Sequence, residues 1–72
     1  MSKLPVLTYR QLAVKLRQAG FELARTGKHD VYFHRRKNLT VPLPRHTGDV
    51  PKGLLRVIIS EMSLSVVEFT NL

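Results

Sequence analysis

The sequence predicts a small α+β domain in which two helices cover one face of a three-stranded antiparallel sheet and leave the other face open. Three observations predict it. A capped amphipathic segment comes first, three short β-prone segments separated by polar turns follow, and a dense apolar segment completes an α-β-β-β-α order. At 72 residues the chain is expected to form one domain over residues 1–72. A domain this small buries only about 60% of the surface its unfolded chain exposes. A surface site acting on a large substrate is therefore easier to build than a deep enclosed one.

Thr8-Tyr9-Arg10-Gln11 has the capping-box pattern, in which Thr8 accepts from the Gln11 amide and the Gln11 side chain reaches back. Leu12, Leu16 and Ala19 follow at helical spacing, and Gly20 suits the left-handed position beyond a helix end. These features predict a helix over Thr8 to Ala19. Phe21 to Arg25, with Phe21 and Leu23 alternating, predicts a first strand, and Thr26-Gly27-Lys28 a turn. Val31, Tyr32 and Phe33 predict a second strand. Arg35-Arg36-Lys37-Asn38 is a polar turn, with Asn38 tolerant of positive φ. Leu39 to Leu43 predicts a third strand, which Pro42 confines to an edge or ends.

Pro44 to Gly53 reads as an irregular loop. Leu54, Leu55, Val57, Ile58, Ile59 and Met62 then predict a second long helix, with Asp49 as a candidate cap and Pro51 in its first turn. Ser65-Val66-Val67-Glu68 is another capping-box pattern and predicts a short final helix.

The chain carries 12 Lys and Arg against 5 Asp and Glu, a formal net charge of +7. So basic a chain is expected to attract polyanions: RNA, DNA, an anionic membrane or an acidic partner. All the cations lie between Lys3 and Arg56, whereas Val57 to Leu72 holds only Glu61 and Glu68 as charged side chains. There is no cysteine, which excludes disulfides, cysteine-ligated zinc and a cysteine nucleophile and fits a cytoplasmic setting. No run approaches the ~18 apolar residues of a membrane span, and no apolar stretch typical of a secretory signal opens the chain.

Histidine is the side chain whose ordinary pKa suits proton transfer near neutral pH, and three are present: His29, His34 and His46. His29 lies in Arg25-Thr26-Gly27-Lys28-His29, where a glycine turn, two cations and an imidazole are close in sequence. Cations hold a phosphate, and a neutral imidazole can take the proton of a ribose 2′-hydroxyl. The competing reading is a solvated turn histidine. His34 reads as an exposed strand residue, and His46 as a loop residue that stabilises its loop, with phosphate contact the competing reading. The histidines lack metal-ligand spacing, so no metal site is expected. Arg35, Arg36 and Lys37 are expected to contact phosphates, since backbone neutralisation supplies most nucleic-acid affinity. Tyr32 fits base stacking and core packing equally. Strand parity leaves one question: an unbroken strand puts His29 on the face of Val31 and Phe33, opposite Asp30, Tyr32 and His34, so either His29 sits at the strand's mouth within reach of solvent or the Gly27 turn rotates it out.

With these residues in place, the chain resembles the HicA family of mRNA interferase toxins, also described as YcfA-like proteins. The resemblance runs from about Leu7 to Leu72. Lys15-Leu16 and Ala19-Gly20-Phe21 are similar to the family's opening helix, and Gly27-Lys28-His29 to its Gly-x-His signature, followed by Val31-Tyr32. Leu43-Pro44-Arg45-His46-Thr47-Gly48 is similar to its Val-Pro-x-His loop, and Pro51 to Arg56 to the segment opening its last long helix. Ser65 to Phe69 resembles the family's usual tail. The chain departs at Lys28, often Ser or Gly in the family, at Pro42, and at Leu54, often Thr.

The resemblance implies a fold like that of double-stranded-RNA-binding domains. It also implies metal-independent endoribonuclease activity on mRNA, needing no cofactor, and inhibition by a HicB-type antitoxin protein that covers the site. The family's catalytic histidine falls on His29. Arg25, Lys28, Arg35, Arg36, Lys37, Arg45 and His46 are then candidate RNA contacts, with His46 a candidate second catalytic group. Two other classes fit the same charge: a non-catalytic RNA-binding module, and a protein whose basic face docks an acidic partner.

Overall fold

A computed structural model describes residues 4–72, so Lys3 lies outside the described residues. The elements are α1 (Tyr9–Gln18), β1 (Glu22–Arg25), β2 (His29–His34), β3 (Leu39–Pro44), α2 (Lys52–Glu61) and α3 (Val66–Thr70). The strands form one antiparallel sheet in the order β1-β2-β3. The expected α+β order is therefore the observed one, with the short final helix present.

Local chemistry accounts for most boundaries. Thr8 caps α1 through both halves of the capping box: its hydroxyl accepts from the Gln11 amide at 3.1 Å, and its own amide donates to Gln11 Oε1 at 2.9 Å. Gly20 ends α1 at φ +95°, and Asn38 turns the β2–β3 hairpin at φ +53°. Pro42 costs no sheet hydrogen bond because β3 lies at an edge, paired only with β2. Ser65 and Glu68 form the second capping box. Accepting the Ser65 backbone amide, and then the Ser65 hydroxyl contact, holds the exposed Glu68 carboxyl below its ordinary range.

Asp49 does not cap α2. Pro51 occupies the N-cap, which makes no side-chain hydrogen bond, and the helix starts at Lys52. The chain before it is held extended instead. Thr8 and Asp49 form an isolated antiparallel bridge, the Val50 amide donates to the Leu7 carbonyl at 2.7 Å, and the Tyr9 amide donates to the Gly48 carbonyl at 3.2 Å. This pairing keeps Asp49 out of cap geometry and ties the loop after β3 to the start of α1.

The core lies between the helices and one sheet face. Leu12 and Leu16 from α1, Tyr32 from β2, Val41 and Leu43 from β3, Leu55, Ile58 and Ile59 from α2, and Phe69 from α3 are all buried. Tyr32 is thus a core residue and not a base-stacking one. Phe69 is fully enclosed, and the Lys15 ammonium lies 5.8 Å from its ring centroid while donating to the Leu72 carbonyl at 2.9 Å. The apolar acidic tail therefore completes the core, leaving the cations to the rest of the surface.

His34 corrects the sequence expectation: it is buried, 9% exposed, and not a surface strand residue. Its ring meets Phe21 edge-on with centroids 5.1 Å apart. Its Nδ1 accepts the Lys37 amide at 3.1 Å, which closes the Arg35–Asn38 turn. The same ring covers Gly20, where an added Cβ would lie 2.8 Å from Nε2. Gly20→Ala therefore combines a disfavoured φ with a clash against a ring that is held on two sides. We expect a loss of about 2 kcal/mol or more, read from urea unfolding.

Candidate active site and nucleic-acid interface

Alternation along β2 decides where His29 points. Tyr32 and His34 are buried, so Val31, Phe33 and His29 face the open side of the sheet, and His29 is exposed. The parity question is settled by which face the helices cover. His29 opens β2 and pairs with Pro44, the last residue of β3. It therefore sits at one end of the sheet, beside the Thr26–Lys28 turn.

A bulge brings a cation to the same face. Leu23 pairs with Tyr32 and Arg25 with Val31, so Ala24 is an extra residue on β1. Without it, Ala24 would oppose Val31. With it, Arg25 takes that place and its side chain is re-aimed toward the face carrying Val31 and His29. Arg25 is then a diagonal neighbour of His29, a separation of about 7–8 Å that long side chains span. Lys28 precedes His29, and all three are exposed.

The predicted RNA contacts divide into two groups. Arg25, Lys28, Arg45 and His46 lie at the His29 end of the sheet. Arg35, Arg36 and Lys37 are exposed at the other end of β2, about 20 Å away along a strand rising ~3.4 Å per residue. A single nucleotide cannot meet both groups. An RNA segment lying along the sheet can.

Around the end of the sheet, on the helix side, lies an open groove of about 670 Å³. Its walls include Tyr9 and Arg10 from the first turn of α1, Asp30 and Leu43 from the sheet, and Arg45 and His46 from the following loop. The loop is placed there by the backbone pairing of residues 48–50 with residues 7–9. That pairing sets the His46 ring against Tyr9, with centroids 5.6 Å apart and planes at 49°. Asp30, next in sequence to His29 but on the opposite face, has Oδ1 3.5 Å from Arg45 Nε. His29 is not part of the groove, so the structure separates it from His46.

Sequence reasoning missed Tyr9, Arg10 and Asp30. Asp30 carries a signal in retrospect: it is the sole acid between Leu23 and Gly48, a stretch rich in cations. Tyr9 and Arg10 show only as the start of an amphipathic helix. Among the described residues, no group of three or more His, Cys, Asp or Glu side chains is arranged to hold a metal ion. No helix among them is long and apolar enough to cross a membrane.

Fold and site together define a small basic α+β domain with an exposed histidine and exposed cations at one end of an open sheet. The family described as "HicA toxin of bacterial toxin-antitoxin" matches residues 9–64. The chain belongs to this family, which makes it the toxin component of a toxin–antitoxin system. No curated protein sequence matches it.

Because the His29 side chain is exposed and lies outside the hydrophobic core, His29→Ala is expected to leave stability within about 0.5 kcal/mol of wild type. Parallel urea titrations of the two proteins check this.

Proposed function

We propose that this toxin is a metal-independent endoribonuclease that cleaves mRNA at the His29 end of the sheet. The observation that carries the reading is the exposed His29 imidazole on the open face, with Arg25 re-aimed beside it and Lys28 adjacent, in a chain of the HicA family.

His29 acts as the general base. Its neutral imidazole takes the proton of a ribose 2′-hydroxyl, and the 2′-oxygen attacks the adjacent phosphorus. The bond from phosphorus to the 5′-oxygen breaks, and the leaving oxygen takes up a proton from water. The products are a 2′,3′-cyclic phosphate and a 5′-hydroxyl. Arg25 and Lys28 hold the phosphate and offset the charge that builds on its oxygens. One imidazole supplies about 10²–10⁴-fold of rate enhancement by acid–base action, so charge stabilisation by these cations must add to it. Arg35, Arg36 and Lys37 hold the RNA farther along. His46 faces Tyr9 in the groove and serves to hold RNA, not to transfer the proton at His29.

The cellular partner is a HicB-type antitoxin, which blocks toxicity by covering the His29 end. Neither the chemistry nor the partner calls for a membrane, and the site of action is the cytoplasm. A non-catalytic RNA-binding module is the second reading, favoured by the separation of His46 from His29.

Purified protein incubated with mRNA in chelator is expected to yield fragments with 5′-hydroxyl ends, and His29→Ala to yield none while binding the same RNA. Induced wild type is expected to arrest growth and the variant is not. Cleavage by His29→Ala at the wild-type rate would falsify the assignment, and binding without cleavage by wild type favours the module. Lys28→Ala is expected to lower the slope of log affinity against log salt by about 0.7–1.

A further inference from the structure

Asp30 has no role in the chemistry above, yet it is unusually placed. Its Oδ1 is the one buried side-chain polar atom without a hydrogen-bond partner among the described residues. Arg45 approaches it at 3.5 Å as an ion pair but makes no hydrogen bond, and the Arg45 side chain is itself 61% exposed. With its arginine this exposed and the Asp30 side chain 23% exposed, the pair contributes little to stability. A buried carboxylate oxygen left without a donor is costly, which points to a donor arriving with a ligand.

The groove around Asp30 has the parts of a nucleotide site. Its volume, about 670 Å³, lies within the range of small-ligand clefts. The tilted Tyr9–His46 pair offers ring surface on which a base can stack. Arg10 and Arg45 supply charge for a phosphate. Asp30 and His29 are consecutive residues on opposite faces at the start of β2, so RNA passing round this end of the sheet meets both.

We propose that the groove is a base-reading subsite for guanine, next to the scissile linkage, with Asp30 as its specificity-determining residue. The substrate class rests on the RNA reading given above. The choice of base follows from hydrogen-bonding capacity. A carboxylate presents two acceptors and no donor. Guanine's Watson–Crick edge presents two adjacent donors, N1–H and the N2 amino group, which match both oxygens. Adenine and cytosine each set one amino donor beside a ring nitrogen acceptor that faces the carboxylate unfavourably. Uracil sets its single N–H between two carbonyl oxygens. Arg45 swings from the carboxylate to the phosphate as the base enters.

The test separates binding from cleavage by using His29→Ala as the background protein. Fluorescence anisotropy measures its affinity for four labelled oligouridylates, each with one central G, A, C or U. We expect the G probe to bind on the order of tenfold more tightly than the others, the discrimination of one bidentate base contact. Adding Asp30→Asn is expected to erase the guanine advantage, because an amide carries one donor and one acceptor and no longer matches two adjacent donors. His46→Ala, at an exposed loop position, is expected to weaken all four probes alike through lost stacking. Circular dichroism confirms that each variant is folded.

Equal affinity for the four probes, a preference unmoved by Asp30→Asn, or probes insensitive to His46→Ala would each overturn the proposal. A guanine preference in this background stands even if the wild type proves unable to cut RNA. Cleavage without base preference removes the subsite and leaves the nuclease reading intact.

Discussion

The alternation of side chains along β2 is the constraint on which this molecule depends. Tyr32 and His34 enter the core, so the intervening residues must face away. His34 is the less obvious anchor. It meets Phe21 edge-on, covers Gly20, and accepts the Lys37 amide, so one imidazole joins the end of α1, the start of β1 and the β2–β3 turn. A one-residue slip of β2 would send Tyr32 and His34 to solvent and His29 toward the helices. The register that satisfies the core is therefore also the one that exposes the proposed general base.

A second device shapes the other side of the sheet end. Hydrogen bonds between residues 7–9 and 48–50 draw the loop after β3 onto the first turn of α1. They cost α2 a side-chain cap, since Asp49 is held in the bridge and Pro51 takes the N-cap position. In return, His46 stands against Tyr9 and the groove beside Asp30 has a fixed wall. Two different surfaces thus meet where β2 begins: an open cationic face with His29, and a groove with a carboxylate and two rings.

Charge and burial are divided along the chain with the same logic. A domain this small has little interior. Its C-terminal segment, free of Lys and Arg, supplies much of that interior through Ile58, Ile59, Met62 and Phe69. The rest of the surface carries the cations, of which Lys15 turns back onto the tail at Phe69 and the Leu72 carbonyl. Arg35, Arg36 and Lys37 lie too far from His29 to act on the same phosphate, so they are suited to holding a length of RNA.

The sequence by itself determined what depends on near neighbours. The α1 and α3 capping boxes, the left-handed Gly20 and Asn38, and the edge placement of Pro42 each follow from contacts within about four residues or from one residue's backbone limits. His29 was legible as an imidazole among cations. Only the tertiary structure decided which sheet face the helices cover, and hence that His34 is buried and His29 exposed. Both faces of β2 mix polar and apolar residues, so period-two patterning could not rank them. The Ala24 bulge and the Asp49 bridge were hidden because each is set by the strand opposite. The groove was hidden because Tyr9, Asp30 and His46 come from separate stretches, and no local pattern records that backbone pairing brings them together.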